Sequence, residues 1–183
     1  MKKVYIAKRI PKQTRSEFIL DVKKEMSSKE VFELYVNKIE ILEKYIYNGP
    51  WVLRPPLAED VFVLNNMPSK LTTSDIWNMV KEKITSSDIF IGIITNKAYG
   101  TIAEAGYACK CKNIAVYILP EVGLSDEEIQ DLWLIFQIAR ETKHLWNDED
   151  IKMLDIFSDF NIHSVEQYES YVSDITPNFM KKQ

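Results

Sequence analysis

Glu104 lies in the run Ala103-Glu104-Ala105-Gly106-Tyr107-Ala108, downstream of the apolar stretch Ile89–Ile94 and of Gly100. Small neighbours let a helix lie close on a sheet, and Gly100 takes backbone conformations other residues avoid. A helix beginning at Thr101 puts Glu104 in its first turn, where the macrodipole and the free N–H groups favour the ionised form. In open α/β sheets, ligands bind at the carboxyl ends of the strands. An ionised carboxylate held there is suited to attack an acetal-like carbon: its charge meets an oxocarbenium-like transition state, and a covalent ester can form. The same spacing, Thr101-x-x-Glu104, is also that of a capping box, in which the carboxylate only satisfies backbone at the helix start. Spacing alone leaves both readings open.

The elements that would carry this group are legible in the hydrophobic pattern. Val4–Ala7 is a short β-prone run. Residues 14–48 read as helix, broken near Met26-Ser27 and restarted by the capping box Ser27 to Glu30, with Tyr45 and Ile46 on its apolar face and a stop at Asn48-Gly49-Pro50. Trp51–Leu53 is a candidate second strand. Residues 55–73 hold three prolines and read as a long loop, and Ser74 is placed to cap a helix running to about Ser86. Ile89–Ile94 is continuous apolar, as in a central parallel strand covered on both faces. Thr101–Cys111 is the small-residue helix, and Ile114–Leu119 a further buried strand closed by Pro120. Ser125 to about Arg140 reads as one helix opened by the box Ser125 to Glu128. Its middle is apolar nearly all round, which buries it in the core or against a second copy of the chain. Residues 143–146 read as a short fifth strand, and helices at 148–158 and 164–174 follow.

Strands alternating with helices imply right-handed crossovers and a parallel sheet. The expected architecture is one α/β domain over residues 1–183, a flavodoxin-like or Rossmann-like three-layer sandwich with a mostly parallel sheet of four to five strands and extra C-terminal helices. No G-x-G-x-x-G follows the first strand, so the dinucleotide fingerprint is absent.

At 183 residues the chain is long enough for one substantial core. Apolar residues make up 46% and charged residues 27%, with a net charge of -4, a balance that speaks against a nucleic-acid polymer as partner. No apolar window reaches bilayer-spanning length, and MKKVYIAKRI lacks the apolar core of a secretory leader. The two cysteines, Cys109 and Cys111, have no second pair or histidine cluster to complete a metal site. They read as small helix residues of a reducing, cytoplasmic compartment. No cofactor or metal is expected.

The runs SDIFIGII, EAGYA and KNIAVYIL, together with the opening VYIA, resemble the nucleoside 2-deoxyribosyltransferase-like family over residues 1–10 and 74–119. The resemblance implies that Glu104 is a nucleophile attacking the anomeric carbon of a deoxyribonucleoside. It implies further that Tyr5, on the first strand, lies close to that nucleophile and that Asp88 matches the family's aspartate at the strand start. The chain also departs from the family. The loop Thr95-Asn96-Lys97-Ala98-Tyr99-Gly100 has no aspartate before the glutamate. Val80 stands where the preceding helix often carries another, Asp75 being the nearest upstream.

The expected function is cleavage or transfer at the N-glycosidic bond of a (deoxy)nucleoside or nucleotide. Glu104 and Tyr5 are the catalytic candidates, and Asp75, Asp88, Asn96, Tyr99 and Gly100 the substrate-binding candidates. Trp51 and Arg54 are further candidates to wall a base pocket. Two alternatives stand: a non-catalytic nucleotide or nucleotide-sugar binding module, favoured by the loop without an aspartate, and an NAD glycohydrolase-like enzyme. The partner is a small molecule; the apolar helix near Leu132–Ile138 leaves a homo-oligomer open.

Overall fold

The computed structural model describes residues 1–8, 43–49, 72–155, 157, 161–177 and 180. Four strands are present among them: β1 (Lys2–Lys8), β2 (Tyr45–Gly49), β3 (Ile89–Ile94) and β4 (Ala115–Pro120). They lie in the order β2-β1-β3-β4 in one parallel sheet. Six α-helices accompany them: α1 (Thr73–Thr85), α2 (Tyr99–Ala108), α3 (Asp126–Asp131), α4 (Trp133–Arg140), α5 (Asp148–Leu154) and α6 (Val165–Asp174). This is the expected α/β, Rossmann-like class. None of the described helices is long and apolar enough to cross a membrane.

The chain divides into two compact units, Met1–Ile6 with Ile10–Ser87 and Ala7–Arg9 with Asp88–Gln183. In the first, β1 and β2 pair in parallel with an irregularity between Val4 and Tyr5, so that Tyr5 stands opposite Gly49 and Asn48 is the extra residue. Asn48 uses its side-chain amide to anchor the end of α1, donating to Lys83 O (2.8 Å), Ser86 Oγ (3.0 Å) and Ser87 Oγ (2.8 Å). Gly49 has φ +145, and a Cβ there would sit 2.9 Å from the Tyr5 ring. Only glycine meets both demands.

The sequence reading carried helix through residue 48, whereas Tyr45–Gly49 is strand. Tyr45 and Ile46 fall on helical spacing, but Tyr45 and Tyr47 are both buried in a strand of β-prone aromatics. The proposed strand Trp51–Leu53, the helix before residue 43, the break near Met26-Ser27 and most of the loop 55–73 lie outside the described residues. Helix α1 starts at Thr73, not after Ser74. Thr72 is its N-cap because Asp75, three residues on, completes a capping box with it.

The second unit is built on β3 and β4, paired in register from Ile89↔Ala115 to Ile94↔Pro120 and buried throughout. Helix α4 packs against α2, β4 and α6, which explains its apolar circumference: Ile135, Phe136 and Ala139 are buried, Trp133 and Ile138 are half-buried, and Leu134 stays exposed. The expected single helix from Ser125 to Arg140 is two, α3 and α4, broken at Leu132, whose φ/ψ of -91/7 leaves the helical basin. The expected fifth strand at residues 143–146 is a 3-10 turn, Lys143–Leu145.

Side chains do the work of that missing strand. Along β4, Val116 N–H donates to Thr142 Oγ1 (3.0 Å), and Trp146 Nε1–H donates to Val116 O (3.0 Å). Ile118 N–H donates to the Tyr168 hydroxyl (2.7 Å), which donates back to Ile118 O (2.9 Å). Four buried backbone groups are thereby satisfied by three side chains, as burial demands. Tyr117, Trp146 and Tyr168 pack together at ring separations of 4.8 to 5.9 Å, Tyr117 stacked on Trp146 and Tyr168 tilted against Tyr117 and edge-on to Trp146.

Candidate functional site

Strand β3 runs directly into a turn, and the turn into α2. Thr95 organises it: its carbonyl accepts Ala98 N–H (3.1 Å), and its hydroxyl accepts Lys97 N–H (3.2 Å). Helix α2 opens at Ala98, which offers no side-chain cap. It begins two residues before the expected Thr101. Glu104 therefore stands in the second turn, and the first turn holds no acidic residue. The expected Thr101–Glu104 capping box does not form. Thr101 is buried against β3 instead, its Cγ2 3.8 Å from where a Cβ on Gly92 would lie. The reading of Glu104 as a mere cap falls with that box. The dipole argument weakens too, since that field fades within the first turn.

The faces of α2 sort cleanly. Thr101, Ala105 and Ala108 form the buried stripe. Gly100 and Glu104, one turn apart, form the next. Glu104 is half-buried, and nothing lies within 4 Å of a Cβ built on Gly100. Helical Cα–Cβ bonds tilt toward the N-terminus, so the Cβ of Glu104 leaves α2 on the side of Gly100 and the carboxyl end of β3. The space beside Gly100, one turn before Glu104, is open at this end of the helix. Gly106, expected to permit close packing, also has nothing within 4 Å of a built Cβ; Ala105 and Ala108 make the close approach.

The candidates predicted from sequence fall on three stretches of chain. Asn96 lies in the β3–α2 connection, and Tyr99, Gly100 and Glu104 follow in the first two turns of α2, with Tyr99 76% exposed. Asp88 stands at the other end of β3, a six-residue strand that spans roughly 20 Å. Its side chain is exposed, and its carbonyl accepts Ala115 N–H (3.0 Å). Tyr5 and Asp75 belong to the first unit: Tyr5 is fully buried beside Gly49, and the Asp75 carboxylate accepts from the Thr72 N–H (2.8 Å) and hydroxyl (2.7 Å). Trp51 and Arg54 lie outside the described residues.

The turn without an aspartate receives a carboxylate from elsewhere. Glu128, at the start of α3, accepts from Asn96 Nδ2 through Oε1 (3.3 Å) and from Ser125 N–H (3.0 Å) and hydroxyl (3.1 Å) through Oε2. The Ser125 backbone N–H, then its hydroxyl, holds the Glu128 carboxyl below the ordinary value of 4.5, and the Lys97 charge adds a smaller pull. Sequence reasoning found the Ser125–Glu128 box but had no signal for the second oxygen, because Asn96 is 32 residues away.

Cys109 follows α2 as its C-cap, and burial, with smaller effects from Glu141 and Cys111, pushes its thiol up to about 12. His163, isolated in the sequence, lies 3.0 Å from Asp155 through Nδ1 and 2.8 Å from Asn161 Oδ1 through Nε2. Among the described residues no group of three or more His, Cys, Asp or Glu is placed to hold a metal ion. Compared with known proteins, the chain matches no family model, no curated protein and no solved structure at a significant level.

Proposed function

We propose that this protein cleaves or transfers the N-glycosidic bond of a (deoxy)nucleoside or nucleotide, with Glu104 as nucleophile. The observation that carries the reading is the placement of Glu104: half-buried, in the second turn of α2, not spent on a helix cap, and one turn from open space at Gly100. The resemblance of the surrounding runs to nucleoside 2-deoxyribosyltransferase-like proteins supplies the substrate class. In the first step a Glu104 oxygen bonds to the anomeric carbon. The base leaves with the electron pair of the C–N bond and takes up a proton from water. In the second step water, or a second base, attacks the same carbon and releases the carboxylate. Tyr99, exposed at the start of α2, supports this reading as a ring available for base stacking.

A binding module that performs no chemistry is the second reading, favoured by the turn 95–100 carrying no carboxylate of its own. Chromatography of deoxynucleosides, deoxynucleoside monophosphates and NAD after incubation with wild type and Glu104→Gln separates the two. Free base from wild type, reduced by several orders of magnitude in the variant, is the expected result. A thermal melt of the variant separates loss of turnover from loss of fold. Full turnover by Glu104→Gln overturns the nucleophile assignment, and binding without turnover by wild type selects the module.

A further inference from the structure

We propose that Glu128 is a specificity-determining positioning residue, fixing the Asn96 amide so that the site selects bases offering an exocyclic N–H over bases offering a carbonyl. The proposal rests on the glycosidic-bond reading of the same site. Glu128 is held from two sides, by the Ser125 capping box through Oε2 and by Asn96 through Oε1. A carboxylate only accepts hydrogen bonds, so the Asn96 NH₂ must be the end that faces it. The amide is planar, and its Oδ1 then points away from Glu128. Asn96 is exposed in the connection between β3 and α2, the loop at the carboxyl end of β3 that leads into the helix carrying Glu104. It thus offers an acceptor there, and an acceptor pairs with an amino group and repels a carbonyl oxygen.

Glu128→Gln tests this with little disturbance to the fold, because a capping box accepts Gln in place of Glu. The Gln oxygen keeps the Ser125 N–H. Its NH₂ then faces Asn96, whose amide must turn over and present a donor outward. Binding is read by calorimetry, independent of turnover, for deoxycytidine against deoxyuridine and deoxyadenosine against deoxyinosine. Wild type should prefer the amino-bearing member of each pair by about five- to tenfold, the worth of one hydrogen bond. Glu128→Gln should lose or invert that preference at unchanged melting temperature. The double variant Asn96→Asp/Glu128→Gln, which restores an outward acceptor, should recover it.

A wild type that binds both members equally, or a Glu128→Gln variant that keeps the wild-type preference, overturns this proposal and leaves the glycosidic-bond reading standing. A wild type that binds none of the four, either as nucleosides or as 5′-monophosphates, overturns both.

Discussion

The hydroxyl of Tyr168 closes a two-way exchange with Ile118, accepting its N–H at 2.7 Å and donating to its C=O at 2.9 Å, across fifty residues of chain. One phenol thereby does what a paired residue on a neighbouring strand would do. Burial pushes the phenol far above the ordinary tyrosine value, so it stays a donor at any pH the fold survives. Tyr168→Phe keeps the ring packing on Trp146 and Tyr117 and strands two buried backbone groups. The expected cost is about 2–4 kcal/mol, read as a lower urea midpoint at unchanged m-value. A loss under about 0.5 kcal/mol would mean that water replaces the hydroxyl.

Two glycines should respond in opposite directions. Gly49→Ala forces a Cβ onto a backbone with φ +145 and against the Tyr5 ring. It should destabilise by about 2 kcal/mol or more through strain and overpacking. Gly106→Ala sits in α2 with open space around it and should stabilise by about 0.5–1 kcal/mol through helix propensity and a less flexible unfolded chain. Equal signs for the two substitutions in thermal melts would contradict the geometry.

The thiol of Cys109, pushed up to about 12, is protonated and unreactive at neutral pH. Native protein treated with iodoacetamide at pH 8 should leave Cys109 unmodified by mass spectrometry, and urea should expose it to full labelling. Rapid native alkylation at Cys109 would place the residue in a different environment from the one described.

Three carboxylates bind protons more weakly than usual. Glu128 is held down by Ser125 and Glu169 by Lys143 and then Arg140, both below 4.5; Asp75 is held down by Thr72, below 3.8. Their folded values are depressed, so the stability they add is complete above about pH 4.5 and is lost as pH falls through the folded values. All three sit at the surface, where such contributions are small. Glu169→Gln should shorten the acid limb of the stability–pH profile and leave its slope above pH 5 unchanged. An acid limb identical to wild type would remove Glu169 from the account.

Much of this architecture is legible in the sequence where one physical demand dominates. Ile89–Ile94 and Ala115–Leu119 are short continuous apolar runs, the pattern of a strand buried on both faces. The Ser125–Glu128 box reads directly because its partners are three residues apart. Legibility fails where distant groups decide. Tyr45 and Ile46 satisfy a helical period and still form strand, because the pairing partner is residues 2–5. The start of α2 was misplaced because Ala98 gives no cap signal, and that error of two residues moved Glu104 from the first turn to the second. Of the candidate site, the grouping of Asn96, Tyr99, Gly100 and Glu104 could be read locally. The arrival of Glu128 at Asn96 and the separation of Asp88 along β3 could not.

The sealing of β4 has a consequence in time. On the ribosome, β4 emerges before Thr142, Trp146 and Tyr168, so Ile118 waits for a partner made fifty residues later. Until then a bare apolar strand edge is open to any other nascent strand. A chain that stops short of Tyr168 keeps β4 in full and loses the seal. Chains stopped between Pro120 and Tyr168 should therefore aggregate more in a pelleting assay than chains stopped after Tyr168.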